Sequence, residues 1–184
     1  MDLESNKIID VQLVQSNDVK GSTHMELLGL KRGLRDLELN NIQVHDLVTD
    51  RHVMIKSYMK KDRQEINHYF DVCHIAKGGV ESPYLLRDLP KLSHIHQTKG
   101  FEVFHSVVNH FVPKSTHFFY TPMLARLCVA ALHYNENGTR RQSMTKEGKQ
   151  QWRVCYPKAK KGQECIVKPE RVPATFGMYK YIHK

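Results

Sequence analysis

The sequence predicts an α/β fold, because strand and helix patterns alternate and the hydrophobic content is sufficient for a core. A change of composition near residue 136 indicates where this fold ends. Apolar residues recur with period two in some segments and with a period near 3.6 in others, an order that is typical of a sheet flanked by helices. Of the 184 residues, 40% are hydrophobic, which is enough for one domain core. We therefore expect one domain over residues 1–136 and a basic, partly irregular extension over residues 137–184.

The first strand is predicted at Lys7–Gln15, between two short polar segments that favour turns. Three apolar residues alternate with polar ones along it: Ile9, Val11 and Leu13. This alternation indicates a strand with one buried face. Met1–Leu3 is the expected stub of its hairpin partner.

The first helix is predicted from leucines that lie three or four positions apart. These are Leu27, Leu30, Leu34 and Leu37. Ser22 and Thr23 offer an N-cap before the first leucine, and Asn40 and Asn41 form a stop signal after the last. We expect an amphipathic helix of about four turns.

A predicted strand, helix and strand follow, and both strands deliver acidic residues. The strand Ile42–Thr49 leads to Asp50, and His52–Lys61 is a short basic helix. The strand Tyr69–Val72 contains Asp71. In open α/β sheets, functional residues commonly gather at the carboxyl ends of strands, so these acids are candidate site residues.

Two further helices are predicted in the second half of the domain. Apolar residues from Phe101 to Phe111 follow a helical period, which places Glu102 near the start of that helix. Met123–Tyr134 is a more apolar helix, begun by Pro122 and ended before Gly138.

Three acidic residues are each followed closely by a histidine. The pairs are Asp50 with His52, Asp71 with His74, and Glu102 with His105. Carboxylates at strand ends and on a later helix are the ligand types that a metal-dependent nuclease requires. Structural explanations stay open, because Asp50 can be a turn former or N-cap, the helix dipole favours Glu102, and His74 can be a core histidine.

Zinc is the less favoured metal. Asp71, Cys73 and His74 would need partners at a recognisable spacing to form a tetrahedral site. His94 and His96 are the nearest candidates, and neither provides such a spacing.

The extension combines positive charge with aromatic residues. The chain has 28 Lys and Arg against 19 Asp and Glu, a formal net charge of +9, which favours polyanionic partners. The candidate nucleic-acid-binding residues are Arg140, Arg141, Lys158, Lys160, Lys161 and Trp152. Lys168 and Tyr156 belong to the same interleaved pattern. A solvated surface is the alternative explanation, but phosphate neutralisation beside stacking surfaces favours sequence-independent contact with DNA or RNA.

The residues LVTDRH, HYFDVCHIAKG, FEVFHSVVNHFVPKS, ALHYNENG and VPATFG together resemble transposase-derived animal proteins. The order of acids is similar to the DDE pattern of Mutator-like and hAT-like transposases. The resemblance implies an incomplete ribonuclease H-like mixed sheet flanked by helices, with a basic C-terminal tail. It implies Asp50 as the second catalytic acid and Glu102 as the third, with Asp71 and His74 as the Asp-x-x-His signature. It also implies that Asp50 and Glu102 would hold Mg²⁺.

Two departures from that family pattern predict a loss of activity. The first catalytic acid of the family precedes a segment that corresponds to Met1–Leu3. The family also carries a long insertion where only twenty-seven residues separate His74 from Glu102, and the join is expected near Lys77–Tyr84. We expect a truncated, catalytically inactive domain that still binds DNA. The alternatives are an active Mg²⁺-dependent nuclease with an incomplete N-terminus, and a pseudogene product without function.

The cysteines, the apolar runs and the first residues of the sequence bear on the cellular location of the protein. The four cysteines include no C-x-x-C, so neither a disulfide framework nor a zinc ribbon is indicated. The sequence contains no apolar run of membrane-spanning length, and Met1–Glu4 does not resemble a signal peptide. We expect an intracellular, nuclear protein that does not enter a membrane, with a homo-oligomer left open.

Overall fold

The computed structural model describes residues 1–71, 89–92, 99–157, 161–178 and 180. Within these ranges the protein is mixed α/β, with a small parallel sheet and a small antiparallel sheet. The chain divides into two compact units, Met1–Ala131 and Leu132–Lys184. The predicted α/β class is confirmed. The predicted segments around His74, Lys77–Tyr84 and His94–His96 lie outside the described residues.

A parallel β–α–β arrangement forms the centre of the first unit. Strand β1 (Asp46–Thr49) and strand β2 (Asn67–Phe70) pair in parallel, and helix α2 (Val53–Asp62) connects them. All three elements were predicted from the sequence. The predicted β1 begins four residues too early and the predicted β2 begins two residues too late, because apolar residues outside a ladder give the same alternation as those inside it.

Helix α1 (Thr23–Leu39) packs against this arrangement and completes a small core. The buried cluster consists of Leu34, Ile55, Met59 and Ile66. Leu27 and Leu30 are packed against it, as the leucine spacing predicted. Asn40 is the C-cap of α1 and Asn41 has φ +59°, so the predicted stop is confirmed.

The predicted strand at Lys7–Gln15 is wrong. Its only described ladder contact is an antiparallel bridge between Asp2 and Lys7, with N–H···O distances of 2.8 and 3.2 Å. The bridge is the hairpin stub expected for Met1–Leu3. A strand requires a partner along its length, and the described residues provide no partner for the segment after Lys7. Ile8 is buried and Ile9 is exposed, so the burial does not follow the predicted alternation either.

Two further helices follow in the chain. Helix α3 (Lys99–Phe111) and helix α4 (Tyr120–Asn137) confirm the two predicted elements. The boundary between the two units falls inside α4. Among the described residues, no helix combines the length and the apolar character needed to cross a membrane.

A two-stranded antiparallel ribbon is the regular part of the second unit. Strand β3 (Trp152–Cys155) pairs with strand β4 (Ile166–Pro169). Isolated bridges join Gln142 to Arg171 and Met144 to Gln150. Gly148, in the turn between the second pair, has φ +77°, a conformation that glycine adopts without a steric penalty.

Candidate functional site

The parallel pairing of β1 and β2 brings Asp50 and Asp71 to the same edge of the first sheet. Thr49 is paired with Phe70, and each aspartate directly follows one of these residues. The backbone N–H of Asp71 donates to the carbonyl of Thr49 at 2.8 Å. Since neighbouring strands lie about 4.8 Å apart, the two acidic residues are neighbours at the carboxyl edge.

Thr49 and His68 support this edge from within the sheet. The Thr49 hydroxyl donates to the carbonyl of Asp50 at 2.8 Å and lies 2.8 Å from Nε2 of His68. Because a hydroxyl has one proton to donate, this arrangement requires Nε2 of His68 to carry a proton and donate to Thr49. Burial, followed by the positive charges of Lys91 and Lys56, lowers the pKa of His68. The histidine is therefore held in its neutral form as pH falls below its usual range.

A basic depression adjoins the acidic edge. Its lining is Arg51, Val53, Lys56, Ser57, Lys60 and Phe70. The ammonium group of Lys56 lies 5.7 Å from the ring centroid of Phe70, and that of Lys91 lies 5.9 Å from it. The surroundings of the two aspartates are therefore cationic, which suits an anionic ligand.

The candidate metal ligands do not form a complete site. Glu102 lies in the first turn of α3 and is exposed. Across the described residues, no three His, Cys, Asp or Glu side chains are grouped so that they could hold a metal ion. Asp50 and Asp71 supply two carboxylates, a set that binds Mg²⁺ weakly unless substrate phosphates contribute. Among the described residues, Asp50 and Glu102 are therefore not part of a preformed three-ligand group, and the Mg²⁺ centre that the family resemblance implies stays a prediction.

The described histidines of the acid–histidine motifs, His52 and His105, contact neighbouring side chains of the fold. His52 is the N-cap residue of α2, and its Nε2 lies 3.8 Å from a carboxylate oxygen of Glu26. The ring of His105 packs edge-on against Phe101, with centroids 4.8 Å apart. His74 lies outside the described residues.

Four cationic side chains converge on one surface of the second unit. Arg140, Arg153, Lys168 and Arg171 line a depression of about 320 Å³, together with Pro169 and Glu170. We call these four cations the basic surface. Arg153 and Lys168 are directly opposite each other in the β3–β4 register, so the strand pairing itself brings their charges together. Glu170, at 3.5 Å from Arg153, offsets only one of the four charges.

Backbone contacts fix two members of the basic surface. A guanidinium nitrogen of Arg140 donates to the carbonyl of Val172 at 2.9 Å, and one of Arg171 donates to the carbonyl of Gly138 at 3.4 Å. These contacts hold the arginines beside the ribbon without neutralising them, because a carbonyl group has no net charge. Both guanidinium groups keep donors for an incoming anion.

The predicted nucleic-acid residues are distributed unevenly. Arg140 belongs to the basic surface, whereas the exposed Arg141 and Lys161 are not in its lining. Trp152 is exposed on β3. Lys158 and Lys160 lie outside the described residues. Arg153 and Arg171 were not predicted from the sequence, although the alternation from Trp152 to Tyr156 indicates a strand that would present Arg153.

The end of α4 is joined to the segment Val172–Gly177 by a dense set of hydrogen bonds. A carboxylate oxygen of Glu136 accepts the N–H of Gly177 at 2.8 Å, and the Thr175 hydroxyl also donates to Glu136. The side-chain amide of Asn137 donates to the carbonyl of Thr175 and accepts its N–H, both at 2.9 Å. A Cβ on Gly177 would lie 3.1 Å from Oε1 of Glu136, so a glycine suits this close approach. Two of the motifs in the sequence, ALHYNENG and VPATFG, are thus in contact.

Comparisons with protein-family models, with curated proteins and with solved structures found no match to this chain. The resemblance of its motifs to transposases therefore stays a hypothesis.

Proposed function

We propose that this protein binds nucleic acid without sequence preference, through the basic surface of its second unit. The observation that carries the proposal is the convergence of Arg140, Arg153, Lys168 and Arg171 on one depression. Cations arranged in this way neutralise backbone phosphates and release the counterions bound to them. The formal net charge of +9 adds a favourable long-range field.

We further propose that the first unit descends from a DDE transposase and no longer catalyses strand transfer. The parallel β1–α2–β2 arrangement, with Asp50 and Asp71 at one edge, supports an incomplete ribonuclease H-like sheet. In this proposal Asp50 and Glu102 are vestigial catalytic acids. The interval of only twenty-seven residues between His74 and Glu102, where the family carries a long insertion, supports the loss of activity, because two-metal chemistry needs several carboxylates in fixed positions.

The binding proposal can be tested with two matched pairs of substitutions. Arg153→Gln with Lys168→Gln removes two charges from the basic surface, and Lys146→Gln with Lys149→Gln removes two exposed charges of the same unit elsewhere. DNA affinity is measured by fluorescence anisotropy over a range of salt concentrations.

The first pair is expected to weaken binding equally for unrelated DNA sequences and to reduce the salt slope by about 2. The second pair is expected to have a much smaller effect. Equal effects of the two pairs would show that total charge, rather than this surface, determines binding. No binding by the unaltered protein would refute the proposal.

A second candidate function is Mg²⁺-dependent cleavage of DNA. The observation in its favour is the position of Asp50 beside Asp71 at the strand ends. Nicking of supercoiled plasmid in Mg²⁺ that disappears in Asp50→Ala, but persists in Asp62→Ala at the exposed end of α2, would establish it. Plasmid left intact by the unaltered protein is the result expected for the binding proposal.

A further inference from the structure

The two faces of the β3–β4 ribbon carry different chemistry. Residues directly opposite each other in an antiparallel pair share a face, and successive residues alternate between faces. Trp152 is opposite Pro169, and Val154 is opposite Val167, so these four residues form one face. We call it the apolar face. The opposite face carries Arg153 and Lys168 of the basic surface.

The apolar face is open to solvent. The exposed fractions are 57% for Trp152, 55% for Val154 and 58% for Val167. Tyr156, directly after β3, is 67% exposed. Contiguous exposed apolar side chains on a small unit commonly mark a binding surface.

The apolar face and the basic surface meet at one position of the ribbon. Pro169 lines the basic depression and is the register partner of Trp152. Trp152 itself is not in the lining of the depression. A ligand that leaves the depression across Pro169 would therefore pass from the positive charges to the face that carries the indole.

We propose that the ligand of this ribbon is a single-stranded nucleic acid, whose phosphates contact the basic surface while unpaired bases stack on Trp152 and Tyr156. The proposal rests on the proposed function and specifies its ligand class. Every base has a π-face, so stacking on aromatic side chains binds single strands with little sequence preference. A duplex hides its base faces, so its bases cannot stack on Trp152 or Tyr156, and its groove edges are mainly polar.

Trp152 provides a direct test because it is the only tryptophan of the chain. Its fluorescence is recorded while the full-length protein is titrated with an oligothymidylate, and then with the duplex that this strand forms with oligoadenylate. We expect the single strand to quench the emission and to bind about tenfold more tightly than the duplex of the same length. The duplex is expected to leave the emission nearly unchanged.

Substitutions of Trp152 separate the stacking of bases on its ring from the contacts that the basic surface makes with phosphates. Trp152→Ala is expected to weaken single-strand binding by about tenfold without altering the salt slope, and Trp152→Phe, which keeps an aromatic ring, is expected to retain most of the affinity. Circular dichroism checks the fold of each variant. The quenching measurement needs no variant, so a misfolded substitution does not remove the test.

The remaining outcomes distinguish this inference from the proposed function. Salt-dependent binding of both ligands with equal affinity and unchanged emission would overturn the single-strand proposal and leave the proposed function intact. Absence of binding to either ligand would overturn both. Self-association that is lost in Trp152→Ala, without single-strand binding, would assign the apolar face to a second copy of the chain and overturn the inference.

Discussion

The backbone N–H of Met178 donates a 2.7 Å hydrogen bond to a carboxylate oxygen of Glu136. With the contacts to Thr175 and Gly177, this carboxylate accepts three hydrogen bonds from one short segment. The last turn of α4 therefore fixes the position of the segment that follows Val172. That segment begins beside Arg140, whose guanidinium contacts the carbonyl of Val172, so the same contacts support the basic surface.

Replacing Glu136 with Gln is expected to lower the melting temperature and to reduce the acid sensitivity of the protein. The Thr175 hydroxyl, followed by the N–H groups of Gly177 and Met178, lowers the pKa of Glu136 below its usual 4.5. The folded protein thus releases this proton more readily than the unfolded chain. The resulting stabilisation is present above pH 4.5 and is lost as pH falls through the lowered pKa.

Thermal unfolding followed by circular dichroism, at neutral pH and at acidic pH, measures this effect. Glu4→Gln removes an exposed carboxylate from the first unit and controls for the change in charge. Equal shifts in the two variants would mean that the hydrogen bonds of Glu136 contribute no specific stabilisation.

Asn137→Ala is expected to destabilise the second unit by about 1–3 kcal/mol, the usual cost of leaving buried polar groups without partners. Asn137 is buried, and its amide contacts both the N–H and the carbonyl of Thr175. Urea unfolding measures the free energy change. Asn137→Asp keeps an acceptor for the Thr175 N–H but loses the donor, so it should also destabilise. A cost below about 0.5 kcal/mol for the alanine variant, the range of ordinary surface substitutions, would contradict this role.

Local sequence patterns predicted the helices because helix formation depends on nearby residues. The leucine spacing and the Asn40 stop were sufficient for α1, and both later helices were found near their observed bounds. The strand expected at Lys7–Gln15 failed because a ladder depends on a partner that the local pattern does not reveal. The same dependence hid the pairing of Trp152 with Pro169.

The candidate sites show the same contrast between features that local sequence predicts and features that depend on pairing of distant segments. The position of Asp50 at the end of a strand, where functional residues of open α/β sheets gather, was predicted from the sequence, but its position beside Asp71 was not, because that depends on the pairing of β1 with β2. The basic surface joins Arg140 to Arg171 through strand register and backbone contacts between distant segments. Composition indicated a basic extension, but only the pairing of β3 with β4 specifies which cations converge.

Ile55→Ala should destabilise the first unit strongly, whereas Val53→Ala should not. Ile55 is 5% exposed and belongs to the cluster with Leu34 and Met59, whereas Val53 in the same helix is 78% exposed. Truncating a buried isoleucine costs about 2–5 kcal/mol, because the packing contacts are lost and a cavity remains. The valine substitution is expected to stay within about 0.5 kcal/mol. Urea unfolding of both variants measures the difference. Similar costs at the two positions, or unfolding without cooperativity, would argue against a packed core here.

Titration of His68 tests the electrostatics beneath the acidic edge. Burial, then the charges of Lys91 and Lys56, lowers its pKa below the usual 6.5, so the unfolded chain takes up this proton at a higher pH than the folded protein. Stability should therefore decrease as pH falls below 6.5, with the loss continuing until the folded histidine is protonated. Lys91→Gln removes one repelling charge and is expected to raise the pKa of His68, as measured by NMR titration of the imidazole protons. Lys20→Gln removes an exposed charge elsewhere in the first unit and should leave that pKa unchanged. If Lys91→Gln leaves the pKa of His68 unchanged, the charge of Lys91 does not act on the imidazole, and only burial and Lys56 would remain as causes of the lowered pKa.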